Sequence, residues 1–263
     1  MEWLREFSPQ QMGLVEAYPV RLPLAVAVVY VALVWLGQRS MRQRKALELA
    51  KVQRAWNLFL ACVSLVMFLG IAPQTLKRAF DEGVFELICM PGGELYVGPQ
   101  LFFVYVFTAV KYLELLDTAL LVLRKRPVSL LHVYHYTTVP AYAWLCLLAL
   151  PGGAVFVFTM TNAAVHTAKY WWYYRSASGA GPSWAQVVTL AQLCQMLLGL
   201  FMAATWTTFY FAGYQCHGSL AGLFLVTSLA LYASYFLLFL LFYVNRYLLR
   251  RSSARARLRQ HRN

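Results

Sequence analysis

Seven long apolar runs, separated by short stretches rich in glycine, proline and charge, dominate the pattern of hydrophobic and polar positions along the chain. They lie at residues 22–37, 55–76, 98–123, 130–150, 154–174, 183–212 and 220–249. Most of them approach or exceed the ~20 apolar residues that an α-helix needs to cross a bilayer. Helix-breaking residues cluster between several of the runs. The pattern therefore predicts an all-α, polytopic membrane protein with about seven transmembrane helices.

Composition supports the same class and leaves room for one domain. Of the 263 residues, 60% are hydrophobic and only 13% are charged, a balance that a solvated globular surface would not need. Seven spans with short connections use nearly the whole length, so we interpret residues 1–263 as a single membrane-embedded domain with a basic tail at about 250–263. Mixed charges before the first run argue against a cleaved signal peptide.

The net charge of +13 raises the question of nucleic-acid binding, which the placement of the basic residues answers. They lie at the ends of apolar runs, where cytosolic loops face anionic headgroups, and they form no continuous basic face. The first, third and fifth connections and the tail carry the Lys and Arg excess, at 39–54, 124–126, 175 and 250–262. The positive-inside rule then predicts a luminal or external N-terminus and a cytosolic C-terminus.

Charged side chains at membrane depth cost ~2.5 to 3.5 kcal/mol each on insertion scales, so each needs a partner or a function. Lys111, Glu114, Asp117 and Thr118 share one face of the third predicted helix, because residues three and four apart are helical neighbours. Taken alone, these residues could also be an ion cluster that packs helices together.

Three further predicted helices carry polar stripes of their own. The fourth contains His132, His135 and Tyr136 on one face. The polar residues of the fifth and sixth are Asn162, His166, Lys169, Tyr170, Tyr173, Thr189, Gln192 and Gln195. A lone histidine in such a place is more often a hydrogen-bonded packing residue. Stripes on four helices instead predict a polar chamber inside the bundle.

These stripes, in this order, resemble the signature blocks of the ELO family of fatty acid elongases. Residues 111–118 (KYLELLDT) match the family's KxxExxDT block, and residues 131–135 (LHVYH) match the start of its HxxHH box. Residues 162–170 are similar to NxxxHxxMY, and residues 189–195 are similar to TxxQxxQ. The resemblance extends from about residue 35 to the end of the seventh run.

Two positions depart from the family pattern. Tyr136 stands at the last histidine position of the box, and Lys169 stands where methionine is usual. A phenol titrates near pH 10, against about 6.5 for imidazole, so Tyr136 does not replace a histidine base at neutral pH unless it is strongly perturbed. We expect Tyr136 to act through hydrogen bonding or shape.

The resemblance implies an acyltransferase that condenses acyl-CoA with malonyl-CoA to 3-ketoacyl-CoA, CO2 and CoA, with no bound cofactor. It also implies an endoplasmic reticulum membrane, lipid neighbours and the other enzymes of the elongation cycle as partners. A neutral imidazole can carry the acyl group, and His135 and His166 are the candidates, with His132 in the same box. Glu114 or Asp117 would orient a ring nitrogen.

Other residues receive binding roles by the same resemblance. Oxyanion or enolate stabilisation is assigned to Lys111, Asn162, Gln192 and Gln195. Tyr170 and Tyr173 are further substrate-binding candidates. Cationic side chains near the cytosolic ends, suited to the phosphates of CoA, are Arg124, Lys125, Arg126, Lys169, Arg175 and Arg246. The acyl chain would occupy an apolar tunnel running toward the lumen.

Several rival classes have to be weighed. A di-iron desaturase uses similar boxes but needs more histidines than the three in the presumed core, although one metal on His132, His135, His166 and a carboxylate is conceivable. A retinal protein needs a lysine in its last helix, and none lies beyond Lys169. Two Pro-Gln dipeptides resemble those of PQ-loop transporters without the accompanying repeat. A catalytically silent elongase homologue, supported by Tyr136, or a seven-helix lipid carrier stays open.

The five cysteines lack the spacing of a zinc site. The predicted topology puts Cys89 and Cys216 in two luminal connections. In the oxidising lumen that the resemblance implies, we hypothesise a Cys89–Cys216 disulfide that closes the far end of the tunnel. The alternative is two free loop cysteines.

Overall fold

The seven apolar runs are helical in the computed structural model of the protein, which describes residues 5–8, 13, 17, 21–89, 97–149, 152–177, 184–214 and 220–249. In chain order the helices are α1 (Arg21–Met41), α2 (Ala50–Asp81), α3 (Gly83–Cys89), α4 (Gly98–Leu113), α5 (Leu116–Leu123), α6 (Leu130–Ala149), α7 (Ala154–Ser176), α8 (Ala185–Phe211) and α9 (Ala221–Tyr243). A π-helix, Val244–Leu249, continues α9. All regular elements of the described ranges are helices, so the all-α prediction is confirmed. The basic tail at 250–263 and Cys216 lie outside these ranges.

Within the described ranges, four segments are both long and apolar enough to cross a membrane: α1, α2, α8, and α9 with its π-helical extension. The other long segments are α4 with α5, α6, and α7, and they carry three of the four polar stripes, while the fourth lies on α8. At 20 and 23 residues, α6 and α7 still match the ~30 Å hydrocarbon core by length. The protein is therefore a polytopic helical membrane protein in which the more polar helices pack among the apolar ones.

The third run differs from its prediction, because the continuous helix expected over 98–123 is interrupted. The helix α4 ends at Leu113 and α5 begins at Leu116. Across the break, the Asp117 and Thr118 amides bond the carbonyls three residues back, at 2.9 and 3.2 Å, which tightens the turn. The interruption falls at Glu114, whose side chain is held by two other polar groups of the interior.

Six helices form a closed ring. Each packs against the next in the order α2, α7, α8, α9, α6, α4 and back to α2. The first helix, α1, stands outside this ring and contacts α5 and α6. Its apolar side chains are widely exposed, with Val28 at 70% and Leu33 at 62%, as expected for a helix whose neighbour is lipid.

One close approach in the ring depends on a glycine. A Cβ atom built at Gly199 of α8 would lie 2.0 Å from the ring of Tyr232 in α9. The Tyr232 side chain is buried, and its ring fills the place where any other residue at 199 would put its side chain. Small residues at such points allow neighbouring membrane helices to approach closely.

Candidate active site

The helix ring encloses a cavity of about 460 Å³, which we call the chamber. Its walls come from α2, α5, α6, α7, α8, α9 and the π-helix. Among the side chains that line it are the predicted residues Asp117, His132, His135, Tyr136, Asn162, His166, Lys169, Tyr173, Gln192, Gln195 and Arg246. Residues up to 129 positions apart in the sequence therefore meet around one space, as the polar stripes predicted.

A buried ion cluster orients His166. The Lys111 ammonium donates a hydrogen bond to Glu114 Oε1 at 2.8 Å, and His166 Nδ1 lies 3.0 Å from the same oxygen. Lys111 Nζ is also 3.2 Å from His166 Nδ1. All three residues are buried. The carboxylate favours the tautomer in which Nδ1 carries the proton, which leaves Nε2 of His166 with a free lone pair.

Asp117 has a different set of partners. Trp56 Nε1 donates to Asp117 Oδ1 at 2.6 Å, and the Tyr170 hydroxyl donates to Oδ2 at 2.8 Å. The Tyr136 hydroxyl donates to the same Oδ2 atom. Of the two carboxylates considered for orienting an imidazole, Glu114 contacts one and Asp117 contacts none in the described part of the chain. Asp117 instead ties α2, α5, α6 and α7 together through neutral donors.

Trp56 was not among the predicted site residues. The feature of the sequence that could have indicated it is the indole N–H, which can only donate a hydrogen bond and needs an acceptor when it is removed from water. Periodicity along α2 could not say which acceptor it would find.

His132 belongs to a hydrogen-bonded chain that reaches the outer helix. Its Nε2 lies 2.8 Å from Thr118 Oγ1, and the Tyr30 hydroxyl of α1 lies 2.9 Å from the same Thr118 oxygen. The His132 ring also stacks on Tyr136, with centroids 4.3 Å apart. These contacts fix one ring nitrogen of His132 and connect α1, α5 and α6. Tyr30 lay on an apolar run and gave no signal in the sequence.

His135 lacks such a fixed partner. Its Nδ1 is buried and makes no hydrogen bond within the described ranges. The ring is held instead by edge or tilted contacts with Tyr136 and Tyr235, at 5.3 and 5.6 Å between centroids. Asn162 Oδ1 and Gln195 Nε2 are likewise buried without a partner in those ranges. Gln53 Oε1, on the α2 side of the chamber lining, is a fourth. Buried polar atoms are normally bonded, so four such atoms on residues that line one cavity mark a place for a polar ligand.

Beyond His135 the chamber continues into two much smaller voids, which we call the arm. The first, of about 10 Å³, is bordered by His135, Asn162 and Gln195, and the second, of about 30 Å³, lies further along α6 to α9. The rings of Tyr142, Phe158 and Tyr232 border both voids. Their centroids are 5.8 to 6.2 Å apart in edge-to-face pairs. Apart from Thr161, Ser228 and the polar residues that it shares with the chamber, the arm is therefore lined by apolar and aromatic side chains.

The predicted cationic residues are dispersed. Arg246 lines the chamber, whereas Arg124, Lys125, Arg126 and Arg175 are not part of its lining. Lys125 closes α5 in the left-handed conformation, with φ of 54°, while the Arg126 amide bonds the Leu121 carbonyl at 2.9 Å. The Lys125 ammonium donates to the Arg42 carbonyl at 3.1 Å. This places Lys125 in the connection between helices, and its contact with CoA stays a prediction.

The remaining predictions concern metals and cysteines. Within the described ranges no group of three or more His, Cys, Asp or Glu side chains is arranged to hold a metal ion. Cys89, at the end of α3, is disulfide-bonded. Free cysteines of the described ranges are Cys62, Cys146 and Cys194. Because Cys216 lies outside those ranges, the Cys89–Cys216 pairing stays a prediction, and peptide mapping without reduction tests it.

Comparison of the amino-acid sequence with known proteins assigns the chain to a family. The sequence pattern of the ELO: GNS1/SUR4 family matches residues 17–255. "Very long chain fatty acid elongase 6" of Gallus gallus is 32% identical over 235 residues, covering 87% of this chain and 85% of that protein. "Fatty acid elongase A" of Dictyostelium discoideum is 29% identical over 212 residues, covering 77% of each.

A third relative, "Putative fatty acid elongase 2" of Schizosaccharomyces pombe, is 31% identical over 232 residues, which cover 84% of this chain and 62% of that protein. The family match spans most of the chain, from before α1 to beyond the π-helix. The resemblance drawn from the polar blocks is thereby confirmed. The chain belongs to the ELO family, the family of the fatty acid elongases.

Proposed function

We propose that this protein is a 3-ketoacyl-CoA synthase, which condenses an acyl-CoA with malonyl-CoA and releases CO2 and CoA. The observation that carries the proposal is that three of the four unpaired buried polar atoms on described chamber-lining residues belong to His135, Asn162 and Gln195, in the same cavity wall as an oriented His166. Acyl transfer needs such an arrangement, with a nucleophile and hydrogen-bond partners for a developing oxyanion.

The first half of the reaction loads the acyl group onto an imidazole. Nε2 of His166 has the free lone pair, because Glu114 engages Nδ1 at 3.0 Å. It attacks the thioester carbon, the C–S bond breaks, and CoA leaves as the thiolate, which takes up a proton from water. The Nδ1 proton stays on the acylated ring, beside Glu114. His135 is the second candidate for this step, because its Nδ1 has no competing partner in the described ranges. Gln195 Nε2 can donate to the thioester oxygen as charge develops.

The second half forms the new carbon–carbon bond. Malonyl-CoA loses CO2, and the electron pair of the broken bond stays on the remaining fragment as an enolate. The enolate carbon attacks the acyl-imidazole carbonyl, the C–N bond breaks, and the ring nitrogen is regenerated. The released 3-ketoacyl-CoA is two carbons longer than the acyl-CoA that entered.

The acyl chain would extend from His135 into the arm between α6 and α9. The lining there is apolar and aromatic, which suits an alkyl chain. We further propose an endoplasmic reticulum membrane, which the family resemblance implies, with the C-terminal side cytosolic, which the basic connections favour. Acyl-CoA would then enter from the cytosolic side, near Arg246.

The test is a condensation assay on the purified protein in lipid nanodiscs. Labelled malonyl-CoA is incubated with a panel of saturated and unsaturated acyl-CoAs, and both labelled 3-ketoacyl-CoA and released CO2 are measured. Formation of both products supports the synthase. A correctly folded protein that binds acyl-CoA but forms neither product with any acyl-CoA would instead indicate the silent homologue or lipid carrier.

The acyl-enzyme is tested with His135→Ala and His166→Ala. Both variants should abolish condensation while retaining the wild-type elution profile on size exclusion. CoA release from acyl-CoA alone, without malonyl-CoA, then assigns the nucleophile, because only the variant that lacks it should lose this release. Full turnover in either variant would contradict the proposed role of that residue.

A further inference from the structure

Lys169 is a buried cation that the described ranges leave without an ion-pair partner. Its side chain is only 6% exposed, and it lines the chamber. The other buried ammonium, that of Lys111, is bonded to Glu114 at 2.8 Å. The Lys169 ammonium instead lies 4.1 Å from the centre of the Tyr170 ring. A cation–π contact compensates only part of the cost of taking an ammonium out of water.

The nearby acidic groups are already occupied. Glu114 accepts from Lys111 and contacts His166, and Asp117 accepts from Trp56, Tyr136 and Tyr170. Both carboxylates act on Lys169 electrostatically, but neither lies within the 4.0 Å of an ion pair. The Lys169 ammonium therefore has donor capacity left for an anion that enters the chamber.

We propose that Lys169 binds the free carboxylate of malonyl-CoA and so selects the extender unit, an inference that rests on the proposed condensation. Malonyl-CoA differs from acetyl-CoA and other short acyl-CoAs by this carboxylate. Lys169 lies one helical turn from His166 on α7, so the anion it holds is close to the residue that would carry the acyl group. The same cation remains beside the negative charge when CO2 departs and the enolate forms.

A carboxylate fits this position better than a CoA phosphate. A phosphate group carries more charge and several acceptor oxygens, and it is usually met by more than one donor. Lys169 is the only unpaired ammonium buried within the described ranges. A single ammonium in a dry site matches one carboxylate. Lys169 also stands where methionine is usual in the family pattern, so the proposed binding residue is a departure from that pattern.

The experiment compares two ligands that differ only in the carboxylate. Binding of malonyl-CoA and of acetyl-CoA is measured by calorimetry on the wild-type protein and on Lys169→Met, in nanodiscs without acyl-CoA. We expect the wild type to prefer malonyl-CoA by about tenfold or more, the contribution of one charge-assisted hydrogen bond in a dry site. Lys169→Met should lose this preference, so that its malonyl-CoA and acetyl-CoA affinities become similar.

Two more variants serve as controls for the binding experiment. Lys169→Arg retains the charge and should keep part of the preference, which separates loss of charge from loss of fold. Lys77→Met is the matched control, because it removes an exposed lysine paired with Asp81 at the end of α2. It should leave the preference unchanged.

Kinetics give an independent measure. In Lys169→Met the KM for malonyl-CoA should rise by about tenfold or more, whereas in Lys77→Met it should stay as in the wild type. A Lys169→Met protein that still prefers malonyl-CoA as strongly as the wild type would overturn the inference but not the condensation. If the wild type makes no 3-ketoacyl-CoA, the proposed function fails, and the binding ratio still reports on Lys169.

Discussion

The chamber and the arm share four helices, α6 to α9, but different interactions fix the side chains around each of them. Around the chamber, hydrogen bonds and an ion pair fix the side chains, as at Glu114 and Asp117. Around the arm, the contacts are between aromatic rings, and the voids of about 10 and 30 Å³ leave room for no more than a few water molecules. Directional bonds preserve a geometry that chemistry needs, whereas ring contacts can shift to admit an alkyl chain.

The difference predicts that removing the ion partner of a buried charge beside the chamber costs more than altering the apolar wall of the arm, and that removing one of several neutral donors costs least. A buried charge that loses its partner cannot be solvated, so the surrounding structure has to change. An apolar wall that loses one ring leaves a cavity that neighbouring side chains or a ligand can fill. Three substitutions, of decreasing expected effect, test this contrast, and a fourth tests the function of the arm.

Glu114→Ala should have the largest effect. It leaves the Lys111 ammonium buried without its carboxylate and removes the group that orients His166. Breaking a buried pair by removing one partner costs ~3 to 5 kcal/mol, so we expect a large loss of unfolding free energy together with loss of condensation. Unfolding in nanodiscs measures the first and the labelled assay measures the second. A double variant, Glu114→Ala with Lys111→Met, should recover part of the stability but not the activity.

If Glu114→Ala were as stable as the wild type, the ion cluster of Lys111, Glu114 and His166 would not stabilise the structure around the chamber. The contrast between the two regions would then fail.

Gly199→Ala should have an intermediate effect, confined to the arm. The new methyl group would meet the Tyr232 ring, and overpacking of this kind typically costs ~1 to 3 kcal/mol. Combining Gly199→Ala with Tyr232→Ala should relieve the clash, so the two effects will not add. Unfolding free energies of both single variants and the double variant measure this coupling.

The arm also supplies a functional readout. Tyr232→Ala removes one of the three rings that close it, so the variant should accept longer acyl-CoAs than the wild type in the condensation assay. An unchanged chain-length profile, in a variant that remains active, would place the acyl chain elsewhere.

Tyr136→Phe should have the smallest effect. It removes one hydrogen bond to Asp117, which keeps Trp56 and Tyr170 as donors, and it preserves the ring contacts with His132 and His135. One hydrogen bond to a charged group contributes ~1.5 to 3 kcal/mol, and the lower end applies here because the remaining donors still satisfy the carboxylate. Condensation should slow without any change in the shape of its pH profile. Loss of an acidic or basic limb would show that Tyr136 titrates during the reaction.

The sequence predicted more about the chamber than about the arm. The histidines, carboxylates and amides of the chamber stand out because polar residues are rare and costly at membrane depth. The rings of the arm gave no such signal, since Tyr142, Phe158 and Tyr232 look like ordinary apolar helix residues. The glycine at 199 is equally inconspicuous until α9 is placed against it.

What the sequence alone determined is the helical class, the apolar runs and the faces that carry polar residues. These follow from hydrophobicity and from the 3.6-residue repeat, which are properties of each segment by itself. Tertiary structure decided the partners: Glu114 with His166, Asp117 with Trp56, Tyr136 and Tyr170, and Lys169 with an aromatic ring. Those pairings depend on the order of helices around the ring and on where α4 breaks, and no periodicity within one helix contains that information.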